Sequence, residues 1–284
     1  MDIDDILASV DRGPGASPES AAIDHQQLTR FWVAERAVSE VLPWPAPLME
    51  RMMDRVRIQI ETIEDLAASS ADPDLSSTSR PTTHNPNLNL RLSILQTDLA
   101  RTQYIIRSLL RARLAKLTKH SMHYLVQLAS RNKNPLSATA SQSQSQSQSQ
   151  SSATNAMPED SVPDVSALID TAPLSGPETS FVHAHQTLLA GHYGASFLGA
   201  FPRQLRRLDD NAGGTSMVQG PETKEVVFVR CLAAQVDVVM EGENENGDGE
   251  LVDEIGVTMR MGDIWVVRWD GVKRAWEKGE VELL

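Results

Sequence analysis

Apolar side chains recur three and four positions apart along most of the first two thirds of the chain, a spacing typical of amphipathic helices. The pattern predicts helices over about residues 24–42, 46–67, 88–131 and 177–201. The third would span roughly 60 Å at 1.5 Å per residue if it is unbroken, which is long enough to form the spine of a helical domain. The apolar face of the first helix consists of Leu28, Phe31, Trp32, Val38 and Val41.

The hydrophobic period changes after residue 222, where apolar residues alternate with polar ones or form short runs. This pattern predicts strands at about 226–229, 236–239, 255–260 and 264–269, a helical turn at 272–278 and a last strand at 281–284. A domain of about 60 residues has a marginal core by itself, so we expect it to dock onto a larger body. The predicted fold class is α+β, with an N-terminal all-α helical domain followed by a small C-terminal β domain.

Breaks in these patterns divide the chain into four parts. We predict an N-terminal segment and tether at 1–20, a helical domain at 21–210, a linker at 211–221 and the β domain at 222–284. Within the helical domain, a Ser/Gln-rich insert at about 135–163 cannot bury enough apolar area to fold and is predicted to be disordered.

The first eleven residues form a short amphipathic pattern of their own. Ile3, Ile6, Leu7 and Val10 share one face of a helix, and aspartates surround them at positions 2, 4, 5 and 11. Glycines and prolines follow immediately and end the pattern. Because so short a helix is marginal in water, its stripe needs a cover. Either the segment folds back on its own domain, or it is a tethered peptide that docks in a partner's groove.

Composition and charge exclude several classes of protein. The net charge of −12 argues against a nucleic-acid binder that uses its whole surface. The single cysteine, Cys231, excludes an internal disulfide and a thiolate-rich metal site, and it fits a reducing compartment. No apolar run approaches the ~18 residues that cross a bilayer, and the acidic N-terminus lacks the pattern of a signal peptide.

The sequence contains no recognisable catalytic motif. It has no P-loop, no dinucleotide-binding glycine motif, no nucleophile elbow and no zinc-protease motif. His120 and His123 are three apart on the predicted long helix and could share a metal ion, which leaves a metal enzyme as a rival hypothesis. No carboxylate lies close to them in sequence, so ordinary histidines are favoured. The acidic loop at 241–254 resembles a calcium loop only in composition. We therefore predict no metal and no cofactor.

The long helix carries a basic patch of eight lysine and arginine residues on an acid-free stretch between Leu99 and Asn134. These residues are Arg101, Arg107, Arg111, Arg113, Lys116, Lys119, Arg131 and Lys133. The basic face could contact a nucleic-acid backbone, which makes a DNA-binding module the alternative function. It could equally pair with acidic protein surfaces. Protein contact is favoured because a groove for single strands usually adds stacking aromatics, and only Tyr104 and Tyr124 are present.

Residues 98–117, with the sequence DLARTQYIIRSLLRARLAKL, closely resemble the central helix of the eukaryotic GINS subunits, in particular those of the SLD-five type. Five further stretches are similar to the same family, at 28–36, 174–178, 192–198, 261–269 and 279–284. The order of a helical domain and then a β domain fits the SLD-five type and its PSF-one sister. The Ser/Gln tract departs from the family pattern and is interpreted as a lineage-specific insertion.

The resemblance implies a non-enzymatic subunit of a nuclear heterotetramer. Its partners would be three sister GINS subunits, the MCM helicase ring, a DHH-fold helicase cofactor and a trimeric replisome adaptor that links the helicase to polymerase α. DNA would be contacted only indirectly, and a membrane not at all. By position, the N-terminal segment is similar to the adaptor-binding motif of the family, which moves the tethered-peptide interpretation ahead of the fold-back one. Its binding residues would be Asp2, Ile3, Asp4, Asp5, Ile6 and Leu7.

The remaining expected site residues lie on the long helix, on the first helix and in the β domain. We expect subunit-interface or core roles for Trp32, Arg101, Tyr104, Ile106, Arg107, Leu110, Arg111, Arg113, Leu114 and Leu117. We expect the β domain to dock through Trp265, Val267, Trp269, Leu283 and Leu284.

Overall fold

The computed structural model describes residues 18–71, 86–133, 158–165, 171–202, 205–208, 218–241 and 254–284. Its α-helices are α1 (Pro18–Ala37), α2 (Ala46–Ala71), α3 (Pro86–Lys119), α4 (Ser121–Lys133), α5 (Gly176–Ser196) and α6 (Trp269–Glu277). Short 3-10 helices lie at Pro158–Ser161 and Leu198–Ala200. The strands are β1 (Val226–Cys231), β2 (Gln235–Glu241), β3 (Glu254–Arg260), β4 (Ile264–Arg268) and β5 (Val281–Leu283). The α+β fold class is confirmed.

The predicted spine is two helices, because the long helix breaks at His120. Its ring Nδ1 lies 3.1 Å from the carbonyl oxygen of Gln219, and the neighbouring Ser121 Oγ donates to Gln186 Oε1 of α5 at 2.7 Å. Both side chains at the break thus bond to segments distant in sequence. The structure therefore divides the helix predicted over 88–131 into α3 and α4, and the hydrophobic period alone does not reveal the contacts at this division.

The first helix starts and ends earlier than its apolar stripe predicted. It begins at Pro18, where proline suits a first turn because the missing N–H has no helical partner there. It ends at Ala37, so Val38 and Val41 do not belong to a helical face. Both are nevertheless buried, and the backbone N–H of Val41 donates to the Tyr124 hydroxyl at 2.9 Å. Residues 38–45 therefore form an irregular segment, with a bend at 39–40, that contributes buried residues to the core.

Local signals placed the start of α5 correctly. Ser175 caps the helix, and its hydroxyl accepts from the backbone N–H of Glu178 while that carboxylate accepts from the backbone N–H of Ser175. The helix ends at Ser196 and a short 3-10 helix follows, so the predicted end at 201 was too late. The end of the predicted Ser/Gln-rich insert also differs: Pro158–Ser161 is a 3-10 helix, and Val162 packs against the core. The insert up to residue 157 lies outside the described residues.

The chain divides into two compact units. Within the described residues, the first contains 18–36, 45–110 and 283, and the second contains 37–44, 111–282 and 284. In the first unit α1, α2 and the first part of α3 contact one another. Asp24 of α1 pairs with Arg55 of α2 at 2.7 Å, and Gln59 of α2 donates to the carbonyl of Leu95 on α3 at 3.0 Å. The buried apolar residues there include Leu28, Leu48, Met49, Met52, Val56, Leu95, Ile106 and Leu109.

The core of the second unit gathers residues from distant parts of the chain. It comprises Val41, Leu117, Tyr124, Leu125, Leu128, Leu174 and Val182, with Val162 and Val165 packed against it. Helices α4 and α5 pack together in this unit.

The C-terminal region of the second unit contains two small sheets. One has the strand order β4-β1-β5, and β1 runs antiparallel to β4 with Phe228 opposite Val266. The other is the antiparallel pair of β2 and β3, with Val238 opposite Val257. Helix α6 packs against β2 and β4. Trp269 at the start of α6 is fully buried and supplies the largest side chain of this core.

Candidate protein-interaction surfaces

A buried ion pair organises the helical part of the second unit. Arg113 of α3 is fully buried, and its Nε and Nη2 donate to the two carboxylate oxygens of Glu178 on α5 at 2.7 and 3.0 Å. The third donor, Nη1, reaches the carbonyl oxygen of Leu42 at 2.7 Å. The guanidinium carbon lies 5.2 Å from the ring centroid of Trp44. One side chain thus connects α3, α5 and the irregular segment 38–45.

The electrostatics of Glu178 fit this role. Burial by itself raises the pKa of the Glu178 carboxyl, but the ion pair with Arg113 and the hydrogen bonds from Ser175 outweigh that effect. The pKa therefore lies below its ordinary value, and the carboxylate stays charged at neutral pH. An arginine that donates to both carboxylate oxygens has the geometry of a strong charge-assisted pair.

The β region is attached to the segment 38–45 through Glu40. Its two carboxylate oxygens accept from Trp269 Nε1 at 3.1 Å and from Lys273 Nζ at 2.7 Å. The carbonyl oxygen of Glu40 accepts from Lys116 Nζ at 2.8 Å, so the same residue also holds α3. The hydroxyl of Ser39 donates to the carboxylate of Glu225, which directly precedes β1.

A mixed apolar and basic face of α3 is exposed to solvent. Tyr104 is 63% exposed, and Arg107, Arg111 and Leu114 follow it at spacings of three and four along the same side of the helix. Leu110, beside them, is also exposed. Tyrosine and arginine are enriched at protein interfaces, so the composition of this face is that of a binding surface.

Helix α5 exposes large apolar side chains, and the ionisable side chains beside them are histidines. After Glu178 this helix has no aspartate, glutamate, lysine or arginine. Phe181 and Leu188, two turns apart, are exposed, the latter at 70%. Charged residues are depleted in the centre of stable interfaces, because each would have to be desolvated on binding.

The outer face of the β4-β1-β5 sheet is apolar as well. Val226 and Phe228 of β1 point away from the buried side, and Phe228 is 58% exposed. Their cross-strand neighbourhood adds Ile264 and Val266 of β4, which are both exposed. Arg230 and Glu282 form a 3.8 Å ion pair at the edge of this face. Four large apolar side chains on one small sheet form a patch of the kind that marks a binding surface.

The structure separates the predicted interface residues into two groups. Arg113, Ile106 and Leu117 are buried within their own units, whereas Arg101, Tyr104, Arg107, Leu110, Arg111 and Leu114 are exposed. Trp32 is partly buried and donates from Nε1 to Ser108 Oγ at 2.9 Å. Its ring also meets that of Tyr104 edge to face, with centroids 6.4 Å apart.

The predicted docking residues of the β domain divide in the same way. Trp269, Val267 and Leu283 are buried, and Trp269 makes the contact with Glu40. Trp265 and Leu284 are partly exposed instead. The predicted adaptor-binding residues, at positions 2–7, lie outside the described residues.

Several residues of these surfaces were missed by the sequence analysis. Glu40 and Glu178 were not predicted as site residues, although the Ser175–Glu178 capping spacing gave a signal for the second. The exposed faces of α5 and β1 were also missed. The lack of Asp, Glu, Lys and Arg in α5 after Glu178 was a signal for the first face. The run of apolar residues at both odd and even positions of β1 was a signal for the second.

The basic residues of the long helix do not form one surface. Arg113 is buried, Lys116 Nζ donates to Glu40, and Arg131 Nη1 donates to the carbonyl of Ala172 at 2.8 Å. These contacts remove three cations from the face that a phosphate backbone would need.

The two histidines considered as metal ligands, His120 and His123, lie at the junction of α3 and α4. Burial, and then the neighbouring His120, lower the pKa of His123. No group of three or more side chains able to hold a metal ion occurs in the part of the chain that the structure describes.

None of the helices within the described ranges combines the length and apolar character of a membrane span.

Comparison with known proteins supports the resemblance seen in the sequence. A model of the GINS complex protein helical bundle domain matches residues 58–197, and a model of the DNA replication complex GINS protein SLD5 C-terminus matches residues 221–284. The DNA replication complex GINS protein SLD5 of Chaetomium globosum is 33% identical over 285 residues, which cover 100% of both chains. The chain belongs to the SLD5 family of GINS subunits.

Other SLD5 proteins extend this relationship. The protein of Yarrowia lipolytica is 29% identical over 99% of this chain and 84% of its own length. That of Saccharomyces cerevisiae is 25% identical over 92% and 80%. The match to the SLD5 C-terminus includes the β region with Trp269, and the helical match includes Arg113 and Glu178. As a member of a DNA replication complex, this SLD5 chain has other GINS subunits as partners.

Proposed function

We propose that this chain is a non-enzymatic structural subunit of the GINS heterotetramer and that its three sister subunits cover its exposed apolar faces. The observation that carries the proposal is the presence of three uncovered apolar surfaces, on α3, on α5 and on the sheet. Obligate interfaces of about 2,000–5,000 Å² are more apolar than transient ones, and such faces are costly to leave in water.

The division of labour within the chain follows from its contacts. Arg113 and Glu40 fix α3, α5, the segment 38–45 and the β region to one another within the second unit. The mixed face of α3, with Tyr104, Arg107, Arg111 and Leu114, then meets a sister subunit. A rigid scaffold that presents preformed surfaces loses little conformational entropy on assembly.

The resemblance supports a place for the assembled tetramer in the replicative DNA helicase of the nucleus. There GINS joins the MCM ring to a DHH-fold cofactor, the ring hydrolyses ATP, and this chain contributes binding surfaces only. Contact with DNA is indirect. We also propose the domain boundaries given by composition: an N-terminal segment and tether at 1–20, whose last three residues begin α1, a helical domain at 21–210, a linker at 211–221 and a β domain at 222–284.

The N-terminal segment is the proposed link to the trimeric replisome adaptor for polymerase α. Ile3, Ile6 and Leu7 would fill an apolar groove, and Asp2, Asp4 and Asp5 would meet basic residues at its rim. Replacing Ile6 and Leu7 with alanine is expected to abolish adaptor binding and leave the tetramer intact. Loss of the tetramer would contradict this role.

Co-expression with the three sister subunits, followed by native mass measurement, tests the structural role. The wild-type chain should be recovered as a four-subunit complex, and Leu188→Asp should disrupt it because a charge on the α5 face cannot be desolvated. Thr187→Asp adds the same charge one residue away, outside the side of α5 that carries Phe181 and Leu188, so the complex with this variant should assemble normally. A stable lone monomer that gains no partners would refute the proposal.

A further inference from the structure

A cleft of about 740 Å³ lies among the three helices of the first unit. It is lined by residues of α1 (Ala21, Ala22, His25), α2 (Met52, Arg55, Val56, Gln59) and α3 (Ser93, Ile94, Thr97, Asp98, Arg101, Thr102). Met52 and Val56 form its buried apolar floor, and Ala21, Ala22 and Ile94 are the more exposed apolar residues of its walls. Its volume lies within the range of about 300–1,000 Å³ that is typical of binding pockets.

The charged residues of the cleft are Asp98, Arg55 and Arg101, and Arg101 is the one that can pair with an acidic occupant. Asp98 accepts a hydrogen bond from Gln59 at 3.0 Å, and Arg55 is held by Asp24 at 2.7 Å. Arg101 is exposed and forms no ion pair with any residue in the described ranges. The cleft therefore offers an apolar surface beside an available cation.

The chain supplies a complementary segment next to the cleft. Helix α1 begins at Pro18, and Ala21 and Ala22 in its first turns line the cleft. Residues 12–17, fully extended, reach at most about 20 Å, which is enough to bring residues 1–11 to it. Those residues carry the apolar stripe of Ile3, Ile6, Leu7 and Val10 together with aspartates at positions 2, 4, 5 and 11.

We propose that residues 1–11 bind in this cleft of their own chain. Their apolar stripe would contact Ala21, Ala22 and Ile94 above the buried floor of the cleft, and an aspartate would pair with Arg101. The site uses the same stripe as the proposed adaptor contact, so the two sites are mutually exclusive. An adaptor could bind only after the segment leaves the cleft. Binding in the cleft would therefore lower the apparent affinity of the segment for the adaptor. The inference requires only the cleft and the segment, and it stands whether or not an adaptor binds.

Proteolysis provides the first test, because Arg12 is the first basic residue of the chain and the next is Arg30 within α1. The purified GINS complex that contains the full chain, with no adaptor present, is treated with trypsin, and release of residues 1–12 is followed by mass spectrometry. We expect Ile6→Asp with Leu7→Asp to raise the cleavage rate ~10-fold, because cleavage follows the population of the undocked segment.

The matched control is Ala8→Asp with Ser9→Asp. It adds the same two charges nearer to the cleavage site but off the apolar stripe, so its cleavage should stay as slow as that of the wild type. Equal cleavage rates for the wild type and the Ile6/Leu7 variant would overturn the proposal. That result would also follow if a sister subunit filled the cleft or if the segment bound only to a separate adaptor.

Disulfide trapping provides the second test. Ile6→Cys combined with Ile94→Cys should crosslink under mild oxidation, and Ile6→Cys with Ile58→Cys should not, since Ile58 is an exposed α2 residue outside the cleft. The native Cys231 is buried, and burial raises the pKa of its thiol, so it competes little. Similar crosslinking rates for the two pairs would overturn the proposal. No adaptor is present in either experiment. The cleavage and crosslinking rates therefore test binding in the cleft independently of whether the segment binds an adaptor.

Discussion

The arginines of α3 occupy two contrasting environments within a few turns. Arg113 is completely buried, bonded to Glu178 and Leu42 and covered by Trp44, whereas Arg107 and Arg111 are exposed. Arg107 bonds only locally among the described residues, to Gln103 of its own helix at 3.3 Å. The sequence presents all three as one basic run. The comparison teaches that one member of this run is used for contacts inside the second unit, whereas the side chains of the other two remain exposed.

Replacing Arg113 should have the largest effect. Arg113→Met leaves Glu178 buried without its partner, and breaking a buried pair costs about 3–5 kcal/mol in free energy of unfolding. Arg111→Met, at an exposed position of the same helix, should change it by less than about 0.5 kcal/mol. Urea unfolding of the full chain followed by circular dichroism measures both. Equal losses of unfolding free energy for the two variants would show that the buried and the exposed arginine do not differ in their contribution to stability.

The second-largest effect is expected at Glu40. This residue lies on the irregular segment 38–45, in which the Leu42 carbonyl accepts from Arg113. Glu40→Ala leaves the indole N–H of the buried Trp269 without its acceptor, which should cost about 1–3 kcal/mol. Glu50→Ala, at an exposed position of α2, is the control for removing a glutamate. The loss should be visible as increased hydrogen exchange in α6 of the Glu40 variant. Unchanged exchange there would show that the junction does not depend on this carboxylate.

Acidification should sharpen the comparison further. The pKa of Glu178 is lower in the folded chain, so its pair contributes stability above the pKa of the unfolded carboxyl and loses it as the pH falls through the folded pKa. Between about pH 7 and about pH 3, the wild type should therefore lose more unfolding free energy than Glu178→Gln, whose side chain does not titrate. A parallel decline of the two would exclude this pair as a source of the pH dependence.

The smallest effect on folding, and a large one on assembly, is expected for the exposed pair. Arg107→Glu combined with Arg111→Glu should change the free energy of unfolding by less than about 0.5 kcal/mol. The same change should weaken recovery of the four-subunit complex more than it weakens DNA binding. Co-purification of all four subunits at full yield from this variant would contradict the proposed role of the α3 face.

Much of the architecture could be predicted because its causes are local. The capping pair Ser175–Glu178 fixed the start of α5, and alternation fixed the strands of the β region. The early end of α1 and the break at His120 could not be predicted in this way. Both depend on partners far away in the chain, such as Tyr124 for Val41 and Gln219 for His120.

The candidate surfaces were less accessible to the sequence than the fold. Helical period marks Ile106, Leu110 and Leu114 alike as apolar spine residues, yet Ile106 is buried and the other two are exposed. The periodicity of an amphipathic helix shows which residues share a side. It does not show how wide the covered arc is, because that depends on how many neighbouring helices pack around it.

By itself, the sequence determined the order of a helical region and a β region, the N-cap of α5 at Ser175, the absence of an internal disulfide and the family to which the chain belongs. These follow from spacing, capping and composition, which act over a few residues. Only the tertiary structure decided that Arg113 is buried, that Glu40 attaches the β region and that apolar faces of α3, α5 and the sheet remain uncovered. Burial and pairing are set by which distant segments meet, and a linear pattern does not contain that information.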